Sequence, residues 1–152
     1  MKITETPRTP VERKRRLLER LEREQDVWVA TADAAGVPCM VALWFAWDGR
    51  ALWVSTRLTN PTGRNLRDGG RARVAFGDTR DVALVDGEVD TFPAGEVPQA
   101  AVAALRAKYG WDPRGDGASY AFFRVRPRTV QVYRGEAEMR GRFLMKEGAW
   151  TV

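Results

Sequence analysis

The sequence predicts a mainly β protein, a closed antiparallel barrel carrying two or three helices. Three observations predict it. Short runs rich in β-branched and aromatic residues recur at close spacing along the chain. Gly, Asp and Asn turn chemistry separates them. Few stretches carry a helical apolar period, and no repeat or low-complexity segment marks a second unit.

At 152 residues, 44% apolar and 30% charged, the chain suits one domain with a sizeable core. Residues 1–152 read as that domain, with 1–9 a loose tail, 10–25 an N-terminal helix and 134–152 a C-terminal extension. Pro10 opens the helix, and Val11, Leu17, Leu18 and Leu21 give it one narrow apolar stripe. Its many charges read as a solvated face over a barrel end; the sharper alternative is a basic arm for nucleic acid. Val27–Ala32 is a strand, and Asp33–Gly36 a turn. Pro38–Trp47 is a second strand, apolar on both faces. Both faces therefore need cover, one from the interior and the other from a helix or a second subunit. Asp48-Gly49 predicts a two-residue hairpin into Ala51–Thr56. Asn60 then caps a short helix with Pro61 at its first position, ended by Gly69-Gly70.

Arg71–Phe76 alternates, with Ala72, Val74 and Phe76 on one face and Arg71 and Arg73 on the other. Asp81–Phe92 is a long strand or a broken pair, with Asp86-Gly87 as turn or bulge. Glu96–Tyr109 is helical and stops at Gly110; Trp111–Gly117 is a loop. Tyr120–Arg126 and Arg128–Tyr133 are strands parted by Pro127, which predicts a kink or a change of sheet. The segment from Glu136 to Val152 is partly polar and has no assigned element.

Composition excludes several chemistries. With no histidine, there is no Ser-His-Asp triad, Cys-His pair, histidine-ligated haem or ordinary catalytic zinc site. The single cysteine, Cys39, rules out an internal disulfide and reads as a buried structural thiol. The acids show no EF-hand spacing, so no metal is expected. The acids between Asp78 and Glu96 read as solvated strand ends and turns. No residue stands out as a general base. No apolar run is long enough for a membrane helix and the N-terminus lacks a signal core, so a cytoplasmic protein is expected.

One region concentrates candidate chemistry. Ser55 and Thr56 end a strand, Arg57 and Arg64 bring charge, and the helix near Asn60 offers unpaired N–H groups with a positive dipole end. Between Arg57 and Arg73, arginines 57, 64, 67, 71 and 73 face only Asp68, most of the chain's net +5. Such a place suits a phosphate-bearing cofactor, or is simply a capped helix with solvated arginines. It matches neither a Walker loop nor G-x-G-x-x-G.

The stretch VWVATADAAGVPCMVALWFAWDGRALWVSTRLTNPTGRNLRDGGRARVAFGD resembles the pyridoxamine 5′-phosphate oxidase-like split-barrel superfamily of flavin and deazaflavin oxidoreductases. The resemblance spans roughly Leu17 to Tyr133, and its most specific pieces are the WF-WDG--LW--T hairpin and the RNL helix before RARVAF. It implies a split β-barrel of the FMN-binding type with six to eight antiparallel strands. It also implies a homodimer with a cofactor in each of two clefts between subunits. Met40, Val41, Ala42 and Leu43 would lie along the flavin ring. Ser55, Thr56 and Arg57 would hold the phosphate, with Arg64 and Asn65 beside them. Many members carry a cation where this chain has Thr62. That removes one charge-assisted contact, worth about 1–3 kcal/mol; Arg57 would substitute, affinity would be weak, or the pocket binds another group.

The implied cofactor is FMN or the deazaflavin coenzyme F-420, and the implied activity is hydride transfer to or from a small organic substrate. The acidic tail of the deazaflavin would suit a groove made by Arg57–Arg73 and the arginines of Arg124–Arg142. Trp44, Trp53 and Trp111 either border the cleft or pack in the core. Without histidine the substrate pattern of true pyridoxamine phosphate oxidases is incomplete, so vitamin B6 is not the expected substrate. The rival readings are a non-catalytic ligand-binding split barrel and, with no motif to support it, a nucleic-acid-binding module.

Overall fold

The computed structural model describes residues 6–115, 117 and 119–152. Its strands are β1 (Asp26–Ala32), β2 (Pro38–Trp47), β3 (Leu52–Arg57), β4 (Arg71–Ala75), β5 (Val82–Pro93), β6 (Tyr120–Tyr133), β7 (Phe143–Lys146) and β8 (Ala149–Trp150). The helices are α1 (Pro10–Arg23), α2 (Pro61–Gly69) and α3 (Gln99–Tyr109). The strands run antiparallel in the order β3-β2-β1-β4-β5-β6-β7-β8, and β3 also pairs with β6. The first six therefore close a barrel, and β7 and β8 extend from β6. The mainly β split-barrel expectation is met.

Alternation fills the interior. Val27 and Val29 of β1, Phe45 of β2, Val74 of β4 and Phe123 of β6 meet inside with almost no exposure. Leu17 and Leu21 of α1 join this cluster. Thr9 caps α1 through a capping box, accepting from Glu12 N at 3.2 Å while its own N–H donates to the Glu12 carboxylate at 2.8 Å. A second apolar cluster lies where α3 covers Ala46, Trp53 and Phe122 with Ala101, Val102 and Leu105.

Several expectations change. Val11 is 54% exposed and lies off the α1 stripe, whereas Arg13 and Arg20 are buried. The Arg13 guanidinium donates to the carbonyls of Val132 and Gly141, both at 3.0 Å, and Arg20 donates to Asp81 O at 2.8 Å. Two of the six basic residues of this helix are thus structural. The tail is not loose throughout: Arg8 is held by acids, as described below, and residues 1–5 lie outside the described residues. Trp47 pairs with Leu52, so four residues, not two, connect β2 and β3. Asp48 organises them, its carboxylate accepting from Arg50 N, Ala51 N and Trp53 Nε1, each at 2.8 Å.

β5 and β6 are each continuous. The register shifts between Asp86 and Gly87, and Pro127 stands opposite Gly87. A proline that lacks an N–H is tolerated where the ladder is already interrupted. A Cβ on Gly87 would lie 2.6 Å from Arg126 O, so the bulge needs glycine. The predicted helix at Glu96 begins instead at Gln99, after a 3-10 turn over Ala94–Glu96. Val97 precedes Pro98 and is held extended. The segment Trp111–Gly117 contains a turn at Pro113–Gly115; Asp116 lies outside the described residues. The C-terminal extension, without a sequence signal, forms the β7–β8 hairpin, and Leu144 is fully buried. No helix among the described residues is long and apolar enough to cross a membrane.

Candidate functional site

The β2–β3 ladder is short. It comprises Phe45↔Val54, Ala46↔Trp53 and Trp47↔Leu52. Beyond it the strands part. Met40–Leu43 continue to pair with β1, and Ser55–Arg57 pair with β6. Among the described residues, the β3-facing edge of β2 thus has no strand partner along Met40–Leu43. Alternate backbone N–H and C=O groups of an edge strand remain open to a ligand.

α2 stands at the end of this opening. Its N-terminus is pressed onto β3, for a Cβ on Gly63 would lie 2.2 Å from Arg57 O. Its flank rests on the β1–β2 pair Thr31↔Cys39. Asn65 Nδ2 donates to Thr31 Oγ1 at 3.1 Å, and Thr62 Oγ1 lies 3.4 Å from Cys39 Sγ. Gly70, in the left-handed region at φ 62°, ends the helix.

The predicted site residues separate into three groups. Met40 (60% exposed) and Ala42 project from the outer face of β2, whereas Val41 and Leu43 are half-buried on the other. Ser55 Oγ donates to Ala121 O at 3.0 Å, and buried Thr56 accepts from Asn60 Nδ2 at 3.1 Å. Asn60 therefore holds the strand end and does not cap α2 with its side chain. Thr62 is buried and turned toward Cys39, which is half-buried, not the buried thiol expected. Arg57 and Arg64 are exposed. Arg57 stands 5.3 Å from the Tyr120 ring centroid, and Arg64 donates to Thr59 O.

Charge is distributed differently from the local count. Arg67 pairs with Asp68 at 2.8 Å and Arg73 with Asp86 at 2.6 Å. The Arg67 hydrogen bond holds the Asp68 carboxyl below its ordinary value. Among the described residues, Arg57, Arg64 and Arg71 form no direct ion pair, although the Arg64 charge also acts on the Asp68 carboxyl, and all three lie at the barrel end that carries α2. The second stretch of arginines is largely neutralised. Arg124 and Arg126 share Asp90 at 3.0 and 2.7 Å, and Arg134 reaches Asp81 at 3.4 Å. The acids read as solvated are mostly arginine partners, and Asp81 is buried.

Two cavities share Ala32, and only the smaller is lined by residues of α2. One of about 600 Å³ is lined by Ala30, Ala32, Arg71, Arg73, Arg128 and Thr129, among others. The other, about 360 Å³, is lined by Ala32, Asp33, Arg64, Asn65 and Asp68. Of the predicted residues, only Arg64 and Asn65 line either one. Arg71, Arg73 and Arg128, which the sequence offered only as parts of a basic groove, line the one of about 600 Å³ beside Asp86 and Glu88. Of the three tryptophans, Trp53 is buried and Trp111 half-buried near Phe122. Trp44 remains 59% exposed and stacks on Tyr109, centroids 4.8 Å apart and planes 9° apart. Burial pushes the Tyr109 hydroxyl up to about 12, so it remains protonated at neutral pH. Trp28, Val37, Met40 and Trp44 make one side of the β1–β2 hairpin apolar and exposed. The expected helix cover is supplied by α3 at the Ala46 end of that face, and among the described residues nothing covers the rest.

A six-stranded barrel with a parted hairpin and a helix at the opening defines the split-barrel class. The family profile described as pyridoxamine 5′-phosphate oxidase matches residues 14–134, most of the chain. The protein belongs to that family. No curated protein matches. Among solved structures, an F420 reductase is 27% identical with a TM-score of 0.59, covering 74% of this chain and 93% of its own. A heme storage protein from Vibrio cholerae is 16% identical with a TM-score of 0.66, covering 79% and 94%. A heme binding protein from Mycobacterium smegmatis is 16% identical with a TM-score of 0.65, covering 95% of this chain and 60% of its own. At such identity the last two share the fold alone.

Proposed function

We propose that this protein is an FMN- or deazaflavin-dependent oxidoreductase that works as a homodimer. The parted β2–β3 hairpin carries the reading. It leaves the Met40–Leu43 backbone edge open, and Arg57 and Arg64, neither of them in a direct ion pair among the described residues, stand at its end. These residues fit a phosphate-bearing ring cofactor: the edge offers backbone donors and acceptors, and the arginines offer planar forks for phosphate. Such a cofactor, when bound, supplies hydride transfer to or from a small organic substrate. The chain supplies orientation, an apolar wall and phosphate charge. A second copy over Trp28, Val37 and Met40 provides the missing cover. The likeness to an F420 reductase supports the deazaflavin, whereas neutralisation of the second arginine stretch favours a cofactor with a short anionic tail. A histidine-ligated haem has no ligand in this chain. Buried Thr62, which removes one expected cation, favours a second reading, ligand binding without turnover.

The absorption spectrum of the purified protein, followed by titration with FMN and coenzyme F-420, tests the proposal. Arg57→Ala and Arg64→Ala are each expected to weaken cofactor binding about tenfold or more, with an unchanged dimer mass. That follows from about 1–3 kcal/mol per charge-assisted contact. Unchanged affinity in both variants places the phosphate elsewhere. Failure to bind either cofactor at micromolar concentration ends the oxidoreductase reading.

A further inference from the structure

Far from the hairpin, the segment Thr6–Thr9 lies across the bottoms of β5 and β6. Arg8 is inserted between two carboxylates. Its backbone N–H donates to Glu138 Oε2 at 2.7 Å, and Nη2 donates to Glu138 Oε1 at 2.8 Å and to Asp81 Oδ1 at 3.0 Å. Nε completes the fork on Glu138 Oε2 at 3.1 Å. Side-chain exposure is 14% for Arg8, 8% for Asp81 and 3% for Glu138. Other cations face the same acids. Arg134 donates through its backbone N–H to Glu138 at 2.8 Å and through Nη2 to Asp81 at 3.4 Å, and Arg16 Nε lies 3.9 Å from Asp81.

Two further observations make this contact a clasp and not simply packing. The segment leaves a cavity of about 420 Å³ around itself, lined by Thr6, Pro7, Arg80, Arg134 and Ala137 with the clasp residues. And the capping box at Thr9 starts α1 independently, so the segment can swing at Thr9 with the helix intact. Arg8 also bridges parts distant in sequence, joining the N-terminal segment to Asp81, just before β5, and to the turn at Glu136–Glu138 in the C-terminal extension.

We infer that Thr6–Thr9 is a detachable strap latched by the Arg8 guanidinium, and that its seat between Asp81 and Glu138 accepts an external guanidinium cation when Arg8 is withdrawn. With Arg8 gone, two nearly buried carboxylates retain Arg134 and the more distant Arg16 but lose the planar fork between them.

Arg8→Ala is the test. Its melting temperature is expected to fall by about 8 °C, scaled from a broken buried ion pair in a chain of this size. Methylguanidinium at about 20 mM should restore most of that loss, as a ligand of the folded state, while equimolar sodium or tetramethylammonium chloride should not. Hydrogen exchange at the Arg134 amide should speed up in the variant and slow again with methylguanidinium. If Arg8→Ala fails to fold, Arg8→Lys carries the test: it retains the charge without the fork, and should melt lower than wild type and respond to methylguanidinium. An unchanged melting temperature, or equal rescue by all three salts, overturns the inference.

Discussion

Gly63→Ala is expected to cost about 3 kcal/mol of stability and to weaken phosphate binding with it. An added Cβ would lie 2.2 Å from Arg57 O, 3.0 Å from Arg57 C and 3.1 Å from Leu58 Cα. All three are backbone atoms, so no side chain can swing away. α2 must lift off the end of β3, and Arg57 and Arg64 then move apart. Alanine is the better helix former by about 1 kcal/mol, so intrinsic propensity opposes the expected loss and the sign of the result is decisive. Gly69→Ala is the control. Its nearest outside atom is Ala32 O at 3.9 Å, and it should be neutral or stabilising. Urea denaturation of the two variants reads both outcomes; a Gly63→Ala protein as stable as wild type refutes the close approach of α2 to β3.

Glu138→Gln should destabilise the protein at neutral pH and make little difference in strong acid. Burial alone pushes the Glu138 carboxyl up. The Arg8 guanidinium and the backbone N–H groups of Arg8 and Arg134 outweigh it and hold the group at about 2, against an ordinary 4.5. A carboxylate whose folded value is depressed contributes stability above its unfolded value. That contribution fades as pH falls from 4.5 toward about 2. The size is roughly 3 kcal/mol. Denaturation midpoints of wild type and Glu138→Gln, followed from pH 7 downward, should converge over that window. A gap independent of pH would show that Glu138 acts by packing and not by charge.

The barrel strands were legible because β-branched and aromatic runs alternate between clear turn residues, as in Val27–Ala32 and Arg71–Phe76. β7 and β8 were not. They are four and two residues long, and what recruits Leu144 and Met145 is the flank of β6, which no local pattern reveals. Pro127 does not divide the strand as the sequence suggested, because the bulge at Gly87 leaves no ladder bond for its missing N–H to break; its signal survives as a change of neighbour, from β3 before it to β7 after it. Arginines were the hardest to read. A run of sequence displays its local charge, but Asp90 neutralises Arg124 and Arg126 across a ladder, from 34 and 36 positions away. Around Met40–Leu43 the apolar character was visible. The open edge was not, since it depends on where β3 leaves β2 for β6.

That exchange of partners has a consequence for how the chain reaches its native state. Leu52 finds Val125, and Arg57 finds Tyr120, only after the intervening residues have been made. During synthesis β1–β3 can assemble as a local meander, but the outer margin of β3 waits for a sequence not yet emerged. Long-range pairing of this kind is slow, and a waiting strand margin is prone to join another nascent chain. Closure by β6 is therefore the step expected to expose the chain to misassembly, and slowing of translation between β3 and β6 should lengthen that exposure.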